Sequence, residues 1–285
     1  MAFSPEVAAI LKQMGFKWTI TDAPLFDAAN EGRTVPYDTI GKVDGLPVFF
    51  RSGLSNVVSL EMPQRGDYDM AGFVSRMRTE VSSWFNGRRG HLTLAMDGET
   101  FGHHVPQYNI DALIMFAERC RQAGIRPKLF SEVLCSFPHE DVAIAPGSWS
   151  TTIADIKAGH YFPLWDHNQN LIHQEFKKLT QQDIIAVQQA EKVVTFYPDP
   201  DAKKYYEEAR YKLDRGLHSC KEWWANRHHG KWHPDRIYSG MSLLERATND
   251  ACQAITLLSP REAADHLENN RLIVERLKTY IKPST

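Results

Sequence analysis

The chain has 285 residues, of which 42% are hydrophobic, so it can bury a large core as one big domain or as two unequal ones. Its 33 Lys and Arg residues nearly balance its 35 Asp and Glu residues, and the formal net charge is -2. This balance provides no basic surface for nucleic acid or for an anionic membrane, and we predict neither as a partner.

The cysteine pattern argues against a disulfide framework and against a structural zinc site. Cys120, Cys135, Cys220 and Cys252 are scattered without paired spacing. No basic region followed by an apolar stretch opens the sequence, and no later segment is apolar for long enough to span a bilayer. We therefore predict a cytoplasmic protein with reduced thiols.

The first elements in the chain are predicted to be a helix, a strand and a hairpin. Ser4 followed by Pro5 is typical of a helix start, and residues 17–21 alternate like a strand. Segments 39–43 and 46–51 flank an Asp-Gly pair, which is the preferred two-residue turn of a β-hairpin. A helix that leads into a strand indicates an α/β fold.

The next elements are predicted to form a β-α-β unit around a candidate catalytic residue. An amphipathic helix is predicted over residues 67–86, and residues 91–96 have the pattern of a buried strand. A further helix over 110–123 and a strand over 128–134 complete the unit. Because parallel α/β folds carry their chemistry in the loops after strands, Asp97 is predicted to lie at a functional edge.

The rest of the chain is predicted to be a helical bundle, with domains at residues 1–165 and 166–285. Its predicted helices span residues 170–195, 201–227, 235–258 and 260–281.

The acidic residues after the 91–96 strand suggest acid-base chemistry. Asp97 and Glu99 are two residues apart, so they project to the same side if strand geometry continues. A glycosidase needs two carboxyl groups, one to protonate the leaving oxygen and one to attack or to activate water. The alternative is an ordinary turn, which an Asp-Gly pair also marks.

The neighbouring histidines, His103 and His104, could instead hold a divalent metal together with these acids. No third ligand follows at a recognisable spacing, and a hydrogen-bonding role toward substrate is simpler. We therefore predict no metal and no cofactor.

Aromatic side chains beside polar residues are candidates for sugar stacking. Trp149 follows a serine, and Ser219, Trp223 and Trp224 share one predicted helical segment. For any single Trp, packing in the core is the alternative, and the two adjacent Trp residues cannot face the same way on a helix.

These segments resemble glycoside hydrolase family 57, the group of amylases, branching enzymes and glucanotransferases. The stretch from Met96 to His103 is similar to its fourth conserved region, and Phe49 to Asn56 is similar to its "F-R-D-x-x-L-S-D" stretch. The segment from Ser219 to Trp224 resembles its fifth region. The resemblance implies a fold with part of a (β/α)7-type barrel over residues 1–165, followed by the C-terminal α-helical bundle.

The resemblance also implies roles for individual residues. Asp97 would be the general acid/base, with Glu99 and His103 supporting it, and Arg51 would help to hold the sugar or the nucleophile. Ser219, Trp223 and Trp224 would contact a polysaccharide or oligosaccharide, and Trp149 is a further candidate for such a contact because of its polar neighbours and not because of the resemblance.

The family's early motifs and its nucleophilic glutamate in a W-x-x-E segment do not occur in these 285 residues. A retaining glycosidase without its nucleophile cannot form the glycosyl-enzyme intermediate. We therefore expect the C-terminal portion of such an enzyme, completed by a complementary N-terminal chain or by a homo-oligomer.

The sequence thus predicts a glycoside hydrolase or glucanotransferase acting on α-glucan. Two alternatives stay open: a non-catalytic carbohydrate-binding or regulatory protein on the same fold, and a metal-dependent polysaccharide deacetylase-like enzyme.

Overall fold

The computed structural model describes residues 2–30, 32–85 and 87–282, apart from the side chains of Glu80, Ser83 and His228. The chain divides into two compact units, Met1–Tyr161 and Phe162–Thr285. Each unit has its own buried clusters of hydrophobic side chains.

The first unit is built on a four-stranded mixed sheet, in the order β2-β4-β3-β5. β2 and β4 are parallel, β3 and β4 form an antiparallel hairpin, and β5 is parallel to β3. The short strands β1 and β6 pair with each other in an antiparallel ribbon. The strands of this unit are β1 (Ala2–Phe3), β2 (Thr19–Asp22), β3 (Ile40–Val43), β4 (Leu46–Arg51), β5 (His139–Asp141) and β6 (Gly147–Ser148).

Helices surround this sheet. The helices of the first unit are α1 (Pro5–Gln13), α2 (Ala23–Ala29), α3 (Leu54–Asn56), α4 (Met62–Gln64), α5 (Met70–Phe85), α6 (Ile110–Gln122), α7 (Phe130–Leu134) and α8 (Ile153–Lys157). A π-helical turn, Val57–Glu61, joins α3 to α4, and a 3-10 turn, Gly98–Thr100, follows Asp97. The predicted helix over 67–86 is confirmed as α5, although its last predicted residue, Asn86, lies outside the described residues.

The hairpin predicted from the Asp-Gly pair is confirmed. Asp44 has φ 49° and Gly45 has φ 74°, so both central residues adopt the left-handed conformation of a type I′ turn. Such a turn fits the right-handed twist of the paired strands, which explains why β3 and β4 pair at this point.

The parallel strands of the sheet end at one edge. Residue 93 makes an isolated parallel bridge with Arg51, and the N–H of Ser52 donates to the carbonyl of Thr93 at 2.9 Å. The segment 91–96 therefore runs in the predicted direction beside β4, although it makes a single bridge and not a regular strand. β2, β4 and this segment bring Asp22, Arg51 and the approach to Asp97 to the same edge.

The structure corrects three predictions. Residues 128–134 were expected to form a strand, but Phe130–Leu134 is helix α7, because the Glu132 carboxylate accepts from the N–H of Leu129 and pairs with Lys128. The β-α-β unit was therefore wrong in its second strand. The described residues form no closed barrel. The first part of the predicted fold is confirmed as a mixed α/β structure.

The third correction concerns the helix expected over 201–227, which ends early at Gly216. A short helix and a small antiparallel hairpin follow, because Ala225 and Asn226 pair with Trp232 and Lys231. The chain between Ser219 and Trp232 is therefore a compact irregular segment.

The second unit is a helical bundle, as predicted. Its buried core extends from Ile172 to Ile281 and consists mostly of Ala, Leu, Ile and Val side chains. Its elements are α9 (Leu171–Phe196), α10 (Pro200–Gly216), α11 (Cys220–Trp223), β7 (Ala225–Asn226), a 3-10 turn (Arg227–His229), β8 (Lys231–Trp232), α12 (Pro234–Thr256) and α13 (Pro260–Ile281). Within the described ranges, no helix is both long and apolar enough to cross a membrane.

Candidate active site

Arg51 organises the edge of the sheet at which the parallel strands end. Its Nη1 donates to Oδ1 of Asp22 at 3.2 Å, and its Nη2 donates to Oδ1 of Asn56 at 2.5 Å. Its Nε donates to the carbonyl of Ala95 at 2.6 Å. Since Arg51 is 4% exposed, the guanidinium is committed to these protein groups and does not face solvent. The structure thus places Arg51 beneath the surface, where it joins three segments of chain.

Asp22 is the buried partner of this arginine. It ends β2 and is 5% exposed, and its Oδ2 has no hydrogen-bond partner among the described residues. Burial raises the pKa of Asp22, and this effect outweighs the opposing influence of the Arg51 charge. The pair is therefore a buried ion pair whose main function is to hold β2 and β4 together at their carboxyl ends.

The segment that leads to Asp97 is fixed through Ala95. The N–H of Ala95 donates to Oγ of Ser55 at 3.1 Å, while its carbonyl accepts from Arg51. Both backbone groups of Ala95 are thus used two residues before Asp97. Asp97 itself is exposed. The carboxylate of Asp97 is therefore accessible, and the hydrogen bonds of Ala95 fix the backbone that leads to it.

The loop after Asp97 is a compact turn and not a continued strand. The carbonyl of Asp97 accepts from the N–H of Thr100 at 3.0 Å, and the carbonyl of Glu99 accepts from the N–H of His104 at 2.7 Å. The prediction that Asp97 and Glu99 project to the same side required strand geometry, which ends at Asp97. That premise was wrong, because the glycines and the buried Thr100 allow the chain to turn.

The two histidines lie on the exposed outer part of this loop. The rings of His103 and His104 have centroids 5.0 Å apart and are tilted by 55°. Glu99, His103 and His104 are all exposed. In the described part of the chain, no three His, Cys, Asp or Glu side chains lie together in a way that could hold a metal ion. The loop therefore offers two exposed carboxylates, Asp97 and Glu99, with two exposed imidazoles nearby in sequence.

Trp149 lies in the same unit, after strand β6. It is half-buried, and it follows Ser148, whose hydroxyl lies 3.0 Å from the hydroxyls of both Ser150 and Thr151. Trp149 therefore lies in a turn that is held by hydrogen bonds between hydroxyl groups.

Ser219, Trp223 and Trp224 belong to the second unit. Ser219 is exposed, and its carbonyl accepts from the N–H of Trp223 at 3.2 Å. Trp224 packs against the bundle core, with its ring 5.5 Å from that of His233. The Trp223 ring lies 4.9 Å from Trp224, and its buried Nε1 has no partner within the described residues. Trp224 is thus mainly a packing residue, whereas Trp223 retains an unused donor.

Asp22 did not stand out in the sequence, whereas Ser55 and Asn56 lie within the stretch from Phe49 to Asn56 that resembles the family. Asp22 directly follows the predicted strand 17–21, and its strand-end position was the signal that could have identified it. Asn56 stands where the family pattern has an acid, yet its side-chain oxygen still accepts from Arg51. The amide therefore preserves the hydrogen bond without the charge.

The chain is similar in fold to proteins of known structure. The chain is similar to a GH57-type branching enzyme from the hyperthermophilic archaeon Pyrococcus horikoshii, with a TM-score of 0.65 and 15% identity over 98% of this chain and 58% of that one. It is also similar to a GH57 branching enzyme from the hyperthermophilic archaeon Thermococcus kodakaraensis, crystallised in complex with glucose and additives, with a TM-score of 0.63 and 12% identity over 98% of this chain and 60% of that one.

At these identities the likeness shows the fold alone, and the chain spans about three-fifths of the length of those enzymes. No curated protein matches the sequence. The model of glycosyl hydrolase family 57 matches residues 1–146, which is more than half of the chain. The chain belongs to glycosyl hydrolase family 57.

Proposed function

We propose that this protein acts on α-glucans, by hydrolysis or by glucanotransfer, with Asp97 as the general acid/base. The observation that supports this most directly is an exposed carboxylate held on an anchored backbone, two residues beyond Ala95. A proton-transferring group must reach the glycosidic oxygen while its own position stays fixed. Family membership and the α-glucan branching enzymes with the same fold support the choice of substrate.

Arg51 has a different role in this proposal from the one that the family pattern suggested. Its guanidinium is buried, and three of its five N–H donors bond Asp22, Asn56 and Ala95, so in this proposal it does not contact the sugar. Arg51 instead acts as a positioning residue, because it bonds the backbone that carries Asp97. Glu99 and His103 are the exposed groups nearest in sequence that could bond sugar hydroxyls.

A retaining mechanism also requires a carboxylate nucleophile about 5 to 5.5 Å from the acid/base. In our proposal, this group comes from a segment outside these 285 residues. Trp149, which is half-buried in the first unit, would contribute a sugar contact through its ring face.

The test is the substitution Asp97→Asn, which keeps the size of the side chain and removes its titratable proton. With amylose or a maltooligosaccharide as substrate, we expect the release of reducing ends and the transfer of glucan to fall at least about 100-fold. The matched control is Asp111→Asn, an exposed acid in the first turn of α6, which should leave both rates unchanged. Equal turnover by wild type and Asp97→Asn would show that Asp97 is not the acid/base.

A further inference from the structure

A pocket in the first unit has a different lining from the Asp97 loop. Its volume is about 370 Å³, which lies in the range of small-molecule sites. One of its lining residues is Ala23, which follows Asp22 at the end of β2. We call it the Trp84 pocket, and the lining residues used below are Ala23, Asp27, Tyr37, Asp38, Trp84 and Arg88.

One wall of the Trp84 pocket is aromatic. The rings of Tyr37 and Trp84 are stacked, with centroids 5.0 Å apart and an angle of 13° between their planes. Phe85 packs edge-on against Tyr37 at 6.0 Å. Trp84 is still 40% exposed, so the stack leaves a large indole surface open. A flat aromatic surface of this kind suits the apolar face of a sugar ring.

The polar groups of the pocket favour a ligand that donates hydrogen bonds. Oδ1 of Asp27 is buried and has no hydrogen-bond partner among the described residues. An apolar ligand would leave this oxygen unsatisfied, and an anion would be repelled by the carboxylate. Asp38 and Arg88 form an ion pair of 2.7 Å at the rim, so their charges already balance each other. The pocket therefore favours a ligand that donates a hydrogen bond to Asp27, as a sugar hydroxyl does.

The environment of Tyr37 supports the same view. Burial and the nearby charge of Asp27 together raise the pKa of Tyr37 to about 12, so the phenol stays protonated. The carbonyl of Tyr37 accepts from the N–H of His91 at 2.8 Å, so the aromatic wall is bonded to the start of the segment that leads to Asp97.

We propose that the Trp84 pocket is a carbohydrate subsite that binds one pyranose unit of the glucan chain, with the ring on the Trp84 surface and a hydroxyl donating to Asp27. This inference rests on the proposed function for the choice of sugar. It assigns a binding role to residues that lie outside the family motifs identified in the sequence.

The experiment measures binding separately from turnover. Maltoheptaose is titrated into wild type, Trp84→Ala and Asp27→Asn, and Kd is measured by calorimetry; kcat and KM are measured on amylose. We expect Kd to rise at least about 10-fold in Trp84→Ala and several-fold in Asp27→Asn, since the first variant loses the stacking surface and the second weakens the hydrogen-bond acceptor. KM should rise while kcat stays within about twofold.

The control is Tyr205→Ala, which removes an aromatic ring with the same 40% exposure from the second unit and should leave Kd unchanged. Circular dichroism of every variant checks that the fold is retained. Binding that depends on Trp84 in a protein without turnover would support the subsite and contradict the enzymatic proposal. Turnover with an unchanged Kd in both pocket variants would overturn the subsite alone. The subsite would also be overturned if wild type did not bind maltoheptaose, or if it bound a quaternary ammonium ion instead.

Discussion

At the scale of single residues, Arg51 is a motif arginine that forms a buried ion pair. The side chain of Arg51 is buried against Asp22. Each of the three guanidinium nitrogens donates to an acceptor, and these hydrogen bonds stabilise the buried pair. Buried ion pairs add little net stability over apolar replacements, but the removal of one partner leaves an uncompensated charge in the interior. Breaking this pair should therefore lower the free energy of unfolding far more than breaking a surface pair.

The substitution Arg51→Ala tests this role. We expect the free energy of unfolding, measured by urea titration, to fall by about 3 to 5 kcal/mol, because Asp22 would be left buried without its cation. The control is Arg33→Ala, which breaks the exposed 2.9 Å pair with Glu140 and should cost less than about 1 kcal/mol. Equal losses in the two variants would contradict a buried structural pair. Restoration of stability by Asp22→Asn in the Arg51→Ala background would support it.

At the scale of elements, three helices of the bundle meet at one buried carboxyl group. Asp183 on α9 is fully buried, and its Oδ1 accepts from Oγ1 of Thr248 on α12 and, at 2.7 Å, from Nδ2 of Asn270 on α13. Its Oδ2 has no partner within the described residues. Burial raises the pKa of Asp183 to about 8, although Thr248, Asn270 and the charge of Lys221 all act in the opposite direction. The group is therefore protonated in the folded bundle at neutral pH.

This raised pKa makes the stability of the bundle depend on pH. The unfolded chain releases the proton near pH 4, whereas the folded chain keeps it to about pH 8, so the contribution of Asp183 is present below pH 4 and is lost as the pH rises to 8. The amide in Asp183→Asn does not ionise, so this variant does not lose stability as the pH rises. We expect its free energy of unfolding to exceed that of wild type by more than about 1 kcal/mol at pH 9 and to differ little at pH 4.

Urea unfolding of both proteins from pH 4 to pH 9 checks this expectation. The exposed residue Asp214 on α10 supplies the control, and Asp214→Asn should keep the wild-type profile. Parallel profiles for wild type and Asp183→Asn would mean that Asp183 is ionised in the folded state.

At the scale of the whole molecule, the two compact units differ in construction. The first unit contains separate clusters around the sheet and around α5 and α6, whereas the second has one core that is drawn entirely from residues between Ile172 and Ile281. A segment whose buried side chains pack on one another has what it needs to fold independently.

We therefore expect residues 162–285, expressed alone, to show a helical circular dichroism spectrum and a cooperative urea transition. Within this segment, Leu244→Ala should lower the free energy of unfolding by about 2 to 5 kcal/mol, since Leu244 is fully buried. Leu257→Ala, at a side chain that is 56% exposed, is the matched control and should change it little. A broad transition that is insensitive to Leu244→Ala would contradict an independent core.

Local sequence patterns determined several features of this protein. The Asp-Gly pair specified the β3–β4 hairpin because few residues tolerate positive φ, and helical periodicity with Pro at the first position specified the start of α13. The motif around Asp97 was enough to indicate the family, since it is contiguous in the chain. These signals depend on neighbours a few residues apart, which a sequence shows directly.

The tertiary structure decided what depends on distant partners. Asp22 and Arg51 are 29 residues apart and Asp183 and Asn270 are 87 apart, so no local pattern indicates that they meet. Residues 128–134 looked like a strand, but a helical turn capped by Glu132 replaced it. The burial of Arg51, the raised pKa of Asp183 and the open side of Trp84 all arise from packing between separate elements, because burial and electrostatic environment are properties of the folded chain and not of its sequence neighbours.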